Sequence, residues 1–131
     1  MPADDRSRRL AVVAARAAAE KKAKEIIALD VSERLVLTDV FVVVSGANDR
    51  QVRAIVDAID EAMHKEGAAA TRKEGVSEAR WVLLDYGDVV VHVQQEEDRE
   101  YYALERLWKD CPVLPLPAEV HAASQDETES A

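Results

Sequence analysis

Cysteine, glycine, proline and aromatic residues are all scarce in this chain of 131 residues. It has one cysteine, four glycines and four prolines, and aromatic residues make up 5% of it. Cys111 alone cannot form an intrachain disulfide, so the fold must depend on an apolar core, which a chain of this length can build. The amino terminus does not resemble a signal peptide, and no apolar run approaches the roughly 20 residues of a membrane-spanning helix. We therefore expect a soluble, cytoplasmic protein with no membrane partner.

Positive charge is also in short supply. The 26 Asp and Glu residues outnumber the 17 Lys and Arg residues, which gives a formal net charge of −9. Phosphate backbones repel such a chain at long range, so the charge argues against a protein whose main contact is nucleic acid. Two interpretations remain: the acidity favours a basic protein partner, or it only keeps the molecule soluble.

The first half of the chain predicts a helix, two strands and a second helix. Apolar residues recur at helical spacing from about residue 7 to 26, and the β-branched runs "IIALDV" and "LVLTDVFVVVSG" are typical of strands. The run from Val40 to Val44 is continuously apolar, which predicts a central strand covered on both faces. Lysines 21, 22 and 24 resemble a basic patch, but we favour a solvated helix face on which they pair with Glu20 and Glu25 at four-residue spacing. The helical stripe consists of Val12, Ala15, Ala19, Ala23 and Ile26.

The second helix follows the segment "SGANDRQV". Asn48 and Gln51 have the spacing of a capping pair, and Gly67 stands where the helix would end. A strand followed by a glycine-containing turn and a helix is also where phosphate binds in many nucleotide enzymes. This loop, however, has one glycine and no following lysine, and Asp49 would repel an anion. We predict a structural cap. The buried stripe consists of Val52, Ile55, Val56, Ile59 and Met63.

The segment "WVLLDYGDVVVHV" predicts a β-hairpin. Gly87 and Asp88 have the composition of a two-residue turn. A short strand and a turn are also expected earlier, within residues 68 to 79. Strand alternation would place Val82, Leu84 and Tyr86 opposite Val93, Val91 and Val89 on one wholly apolar face. The other face would pair Trp81 with Gln94, Leu83 with His92 and Asp85 with Val90.

The mixed face of that hairpin is the candidate functional site. Asp85 and Asp88 are three residues apart across a turn, which is the wrong spacing for a shared metal, and no serine or cysteine is placed to act as a nucleophile beside His92. The sequence therefore predicts no catalytic residue, metal or cofactor. A tryptophan, a leucine, a carboxylate and an imidazole suit a protein interface, although helices covering a core Trp81 would explain them too. The interface candidates are Trp81, Leu83, Asp85 and His92.

The segment "EEDREYYALERLWKDCP" predicts one closing helix. Acidic residues gather at its start and Pro112 ends it, as the helix dipole and proline geometry favour. Its buried stripe would be Tyr101, Leu104, Leu107 and Trp108. We expect a single domain over residues 1–112 and a proline-containing, acidic, disordered tail over residues 113–131.

Five blocks in order give the chain a resemblance to a known family. The series "KKAKEIIALDV", "TDVFVVVSGANDRQV", "KEG", "WVLLDYGDVVVHV" and "REYYALERLW" resembles the ribosomal silencing factor family, also called Iojap-like, from about Leu10 to Trp108. The resemblance implies an α/β fold with a mixed sheet of about five strands flanked by helices, related to nucleotidyltransferases. It also implies a translational repressor, not an enzyme.

By the same resemblance, the partner is the large ribosomal subunit. The family binds a basic protein of that subunit, the fourteenth in the standard series, at the subunit interface, and so blocks subunit joining when nutrients are scarce. The family's interface positions fall on Trp81, Asp85 and His92. The resemblance implies no direct recognition of a nucleic-acid sequence by the protein. The alternative is a nucleotide-binding enzyme in which Ser45 and Gly46 would meet triphosphate and Asp85 would hold magnesium. A homodimer, in which an exposed apolar face pairs with a second copy of the chain, is a further hypothesis.

Overall fold

The computed structural model describes residues 3–121 as a sheet with helices on both faces. The five strands lie in the order β1-β2-β5-β4-β3; β2 and β5 are parallel, and the other neighbouring pairs are antiparallel. The predicted mixed five-stranded sheet is confirmed. The elements are α1 (Asp5–Glu20), β1 (Lys24–Asp30), β2 (Val40–Gly46), α2 (Asp49–Lys65), β3 (Arg72–Glu74), β4 (Trp81–Asp85), β5 (Val89–Gln95), α3 (Glu96–Tyr102) and α4 (Leu104–Leu107).

Helix α1 ends earlier than predicted. The amides of Lys22 and Ala23 donate to the carbonyls of Ala19 and Ala18, at 2.9 and 3.0 Å, and Lys22 has a φ of 62°. This is a Schellman C-terminal cap, with a lysine at the position where glycine is usual. The prediction that the helix continues to residue 26 is wrong, because Ile26 lies in β1.

The predicted pairing within the lysine cluster is wrong for the same reason. Lys24 and Glu25 lie on a strand, where residues four apart do not face each other as they do on a helix. Lys24 instead approaches Glu96 at 3.8 Å, and Glu25 approaches Arg99 at 3.8 Å. Both contacts connect β1 to α3.

Strand β2 occupies the centre of the sheet, as its apolar run predicts. All seven of its residues are buried. Its alternate side chains enter two separate apolar clusters. The first, the α1–α2 face of the sheet, contains Val40, Val42 and Val44 together with buried residues of both long helices. Phe41 enters the smaller cluster on the opposite side of the sheet, which also contains Leu29, Val31, Val90 and Cys111. We call this side the second face.

The capping pair of α2 is confirmed. The Oδ1 atom of Asn48 accepts from the amide of Gln51 at 2.9 Å, and the Oε1 atom of Gln51 accepts from the amide of Ala47 at 2.7 Å. These two bonds satisfy amides that would otherwise be free to bind an anion. Gly67, with a φ of 81°, follows the end of the helix.

The hairpin register is also confirmed. Trp81 faces Gln94, Leu83 faces His92 and Asp85 faces Val90, while the amide of Tyr86 donates to the carbonyl of Val89 at 2.9 Å. Strand β3 supplies the short strand expected within residues 68 to 79, and a turn follows it.

The closing helix is broken, contrary to prediction. Ala103 has a φ of 45° and separates α3 from α4, so a single helical stripe does not run through both. Leu104 is buried, but Tyr101 is 82% exposed and Leu107 is 66% exposed. The predicted buried stripe is therefore wrong at these two positions.

Residues 113–121, expected in the disordered tail, pack against the domain. The amide of Leu114 donates to the carbonyl of Ala28 at 2.8 Å, and Glu119 pairs with Arg16 at 2.7 Å. Val120 is 1% exposed within the first cluster. Leu114 and Leu116, between the prolines, are half-buried against the same cluster. The remaining expected tail, residues 122–131, lies outside the described residues.

The packing of Val120 can be tested by Val120→Ala. Removing a buried valine side chain should lower the free energy of unfolding by about 2 kcal/mol, measured by urea denaturation. Val113→Ala is the matched control, because Val113 is 61% exposed, and its effect should stay within about 0.5 kcal/mol. Equal effects of the two substitutions would show that the segment is not packed as described.

Candidate functional site

The four interface candidates lie together on the second face. Trp81, Leu83 and Asp85 alternate along β4 and are half-buried, whereas Val82 and Leu84 between them are buried on the α1–α2 face. His92 lies opposite Leu83 on β5. The hairpin alternation thus brings all four side chains to one side of the sheet.

His92 is the most enclosed of the four residues. Its side chain is 6% exposed, and its Nδ1 atom accepts a hydrogen bond from the indole Nε1 of Trp81 at 3.1 Å. Burial lowers the pKa of the imidazole to about 4. The ring is therefore neutral near pH 7, and since Nδ1 is an acceptor, the ring proton is on Nε2. His92 orients Trp81 and does not present a charge to solvent.

An aromatic row crosses the second face through this hydrogen-bonded pair. Phe41 makes an edge contact with His92 at 5.0 Å, and Tyr102 of α3 packs against Trp81 at 4.9 Å between ring centroids. Each end of the row continues: Trp108 contacts Phe41 at 5.1 Å, and Tyr101 contacts Tyr102 at 5.0 Å. The row, from one end to the other, is Trp108, Phe41, His92, Trp81, Tyr102 and Tyr101.

Tyr102 was missed by sequence reasoning. Helical spacing selected its neighbour Tyr101, which is the more exposed of the two. The chain order could have indicated Tyr102. Helix α3 begins immediately after β5, so an aromatic residue of this short helix lies near Trp81 of the adjacent strand β4. Tyr102 remains 49% exposed, and so adds to the accessible aromatic surface.

Asp85 has a structural contact as well as an accessible carboxylate. Its Oδ1 atom accepts from the amide of Gly87 at 2.8 Å, which supports the hairpin turn, and its Oδ2 atom lies 3.8 Å from Arg72. The carboxylate side chain is 25% exposed. Among residues 3–121, no cluster of three or more His, Cys, Asp and Glu side chains could hold a metal ion.

The geometry of the nucleotide-enzyme alternative is unfavourable. Ser45 is 1% exposed and its hydroxyl donates to the carbonyl of Lys24, while Gly46 is pressed against α2, where an added Cβ would lie 3.2 Å from Ile55. In the sheet register, Ser45 pairs with Gln94 of β5, and Asp85 pairs with Val90 of the same strand. Four residues of strand separate these pairs, about 13 Å. The two proposed ligand groups are therefore too far apart to share a phosphate and its metal.

The second face has an incomplete apolar cover. Trp81 and Leu83 are half-buried, and α3 and α4 leave Tyr101 and Leu107 largely exposed. Patches that combine accessible aromatic and aliphatic side chains with charged neighbours are typical of protein interfaces. None of the helices within residues 3–121 has the length and apolar character to cross a membrane.

The burial of neutral His92 predicts a pH dependence of stability. The unfolded chain takes up a proton near pH 6.5 and the folded one only near pH 4, so the unfolded state binds more protons between these values. Stability should fall as the pH decreases across this window, by about 3 kcal/mol in total. His92→Gln offers an acceptor to Trp81 but does not titrate. The difference in unfolding free energy between the parent and this variant should therefore vary with pH, and a constant difference from pH 4 to 7 would contradict the assignment.

Comparison with known proteins identifies the chain's relatives. The sequence model described as "Ribosomal silencing factor during starvation" matches residues 4–131. The ribosomal silencing factor RsfS of Bacillus subtilis is 43% identical over 104 residues, which cover 79% of this chain and 88% of that protein.

Two solved structures have the same fold. A Chromobacterium violaceum protein superimposes with a TM-score of 0.76 at 35% identity, over 79% of this chain and 86% of that one. A Bacillus halodurans protein gives a TM-score of 0.70 at 38% identity, over 79% and 94% of the respective chains. With a family match over nearly its whole length and relatives in both sequence and structure, this chain belongs to the ribosomal silencing factor family.

Proposed function

We propose that this protein represses translation by docking its second face on the large ribosomal subunit and obstructing the small subunit. Family membership implies ribosome-associated regulation of translation. The docking partner in our proposal is a basic ribosomal protein, the fourteenth of the large-subunit series, at the interface between the subunits. Repression would operate when nutrients are scarce, in the cytoplasm.

The observation that carries this proposal is the state of Trp81. Its indole is half-buried and is fixed by a hydrogen bond to His92 at 3.1 Å. An aromatic side chain that is accessible but already held in one orientation loses little conformational entropy when a partner covers it. Such residues are the typical energetic anchors of protein interfaces.

Charge supports a protein contact over an RNA contact. The net charge of −9 opposes approach to a phosphate backbone and favours approach to a basic protein surface. Asp85, 25% exposed beside the apolar residues of β4, offers an accessible carboxylate for a partner's cation. The acidic charge would thus direct association, while the apolar side chains supply most of the affinity.

Obstruction requires no chemical step. A domain of this length has a radius of gyration of about 14 Å, which is enough to hold two surfaces apart when it is anchored between them. The arrangement of Ser45 and Asp85 gives no support to a nucleotide reaction. A homodimer built on the same face would compete with the ribosome for it.

The docking proposal is tested by Trp81→Ala. Loss of a central aromatic anchor should weaken binding to purified large subunits by about 2 kcal/mol or more, roughly 30-fold, measured by co-sedimentation. Tyr86→Phe is the control, because Tyr86 lies on the α1–α2 face, where its hydroxyl bonds Asp60 at 2.8 Å. It should bind as the parent does.

The blocking step has its own readout in the same experiment. Added in excess to a mixture of small and large subunits, the parent protein should sediment with free large subunits and reduce the joined fraction. Unchanged binding by the Trp81→Ala variant, or sedimentation of the parent with joined ribosomes, would contradict the proposal.

A further inference from the structure

Two side chains of β5 have buried polar atoms without partners. Among residues 3–121, the Nε2 atom of His92 and both amide atoms of Gln94 have no hydrogen-bond partner. Gln94 is fully buried and His92 is 6% exposed. Because the two residues are two apart on one strand, their side chains point to the same face of the sheet, which is the second face.

The stability of the fold does not account for Gln94. A buried amide that makes no hydrogen bond opposes folding, and an apolar side chain of similar size would fill the same space without that penalty. Buried polar groups in native proteins nearly always have partners, so an exception calls for an explanation. Gln94 lies opposite Trp81 on β4 and Ser45 on β2, so its unpaired amide is continuous with the proposed docking surface.

The cover over this part of the sheet is weakly anchored. Helices α3 and α4 have seven and four residues, separated by Ala103 in the left-handed region, and α3 packs against β5 and β2. Their buried residues are Arg99 and Leu104. Helices this short are marginal without tertiary contacts, and elements that bury few apolar side chains open most readily.

Besides its ion pairs with β1, α3 makes two contacts that hold the cover against the hairpin. Arg80 bonds both carboxylate oxygens of Asp98, at 3.1 Å each, and the ring of Tyr102 rests on Trp81. The ion pair is partly exposed, since the Arg80 side chain is 54% accessible, so it contributes little to stability. The ring contact between Tyr102 and Trp81 is the one that also involves the docking surface.

Together, the unpaired atoms offer the donors and the acceptor that would pair with a peptide main chain. Since the Nδ1 atom of His92 accepts from Trp81, its Nε2 atom carries a hydrogen and is a donor. The amide of Gln94 offers one acceptor oxygen and an NH₂ donor. A main-chain segment presents both carbonyl acceptors and N–H donors, whereas an anion would leave the Gln94 oxygen unpaired.

We propose that His92 and Gln94 are a hidden part of the docking surface, uncovered when α3 and α4 move aside, and that they hydrogen-bond a main-chain segment of the ribosomal protein partner. This inference rests on the proposed function, which it deepens by adding Gln94 and by assigning a gating role to Tyr102. Docking then begins on the accessible part of Trp81 and is completed on the buried pair.

The first test is Gln94→Leu, which removes the unpaired amide and keeps a similar volume. The variant should have a higher melting temperature than the parent and bind large subunits about tenfold more weakly, because the partner loses its hydrogen bonds. Gln95→Leu is the control: the Gln95 side chain already donates to the carbonyl of Ala79 at 3.0 Å. This control should not raise the melting temperature and should bind normally.

The second test is Tyr102→Ala. If the Tyr102 ring holds the cover closed, its removal should increase the association rate and the affinity for large subunits, because less of the free protein is in the closed state. If Tyr102 were simply one more contact on a preformed surface, the same substitution would weaken binding. Tyr101→Ala, on the same helix but at the 82% exposed position, should leave the association rate unchanged.

The outcomes separate this inference from the proposed function. Parental affinity of Gln94→Leu, or weakened binding by Tyr102→Ala, overturns the hidden surface even when Trp81→Ala abolishes binding as expected. Failure of the parent protein to bind large subunits at all overturns the proposed function itself. A stabilised Gln94→Leu variant with reduced binding, together with a faster Tyr102→Ala variant, supports both.

Discussion

The hydrogen bond from the indole of Trp81 to the imidazole of His92 is the contact on which the organisation of the second face depends. It joins the two strands of the hairpin at 3.1 Å, leaves Nδ1 of His92 without a proton and holds the indole in a fixed orientation. With burial lowering the pKa of the imidazole to about 4, both partners are neutral at physiological pH. Apolar and aromatic neighbours can therefore pack around the pair without burying a charge.

The two faces of the sheet have different tasks. On one face, α1 and α2 bury alternate valines and leucines of the central strands and supply most of the core. On the other face, two short helices leave aromatic rings accessible, and within residues 3–121 the Nε2 atom of His92 and the amide atoms of Gln94 have no hydrogen-bond partner. A fold selected only for stability would cover the second face as completely as the first. The difference supports our proposal that the second face binds a partner.

The features predicted correctly from the sequence are those fixed by local alternation and local caps. The hairpin from Trp81 to Val93 has a two-residue turn, and period-two alternation leaves one register that buries a whole apolar face, so every cross-strand pair could be assigned. The Asn48 and Gln51 cap depends on residues three apart and was equally accessible. The same alternation places the four candidate residues on one face of the sheet.

The incorrect predictions concern places where tertiary contacts override local preference. Lys22 adopts a left-handed conformation that usually signals glycine, so the end of α1 left no mark in the sequence. Ala103 does the same between α3 and α4, which shifted the inward aromatic residue from Tyr101 to Tyr102. The burial of Val120 depends on α1 and could not be read from its proline-rich surroundings. The enclosure of His92 likewise depends on rings from β2 and β4.

Hydrogen exchange of the full-length protein, free and bound to purified large ribosomal subunits, tests the central claim most directly. The account predicts that binding slows amide exchange in β4 and changes it in the segment from α3 to Trp108, while amides of α1 and α2 exchange at the same rates as in the free protein. Protection concentrated on α1 and α2, with β4 and α3 unchanged, would contradict the assignment of the second face as the docking surface.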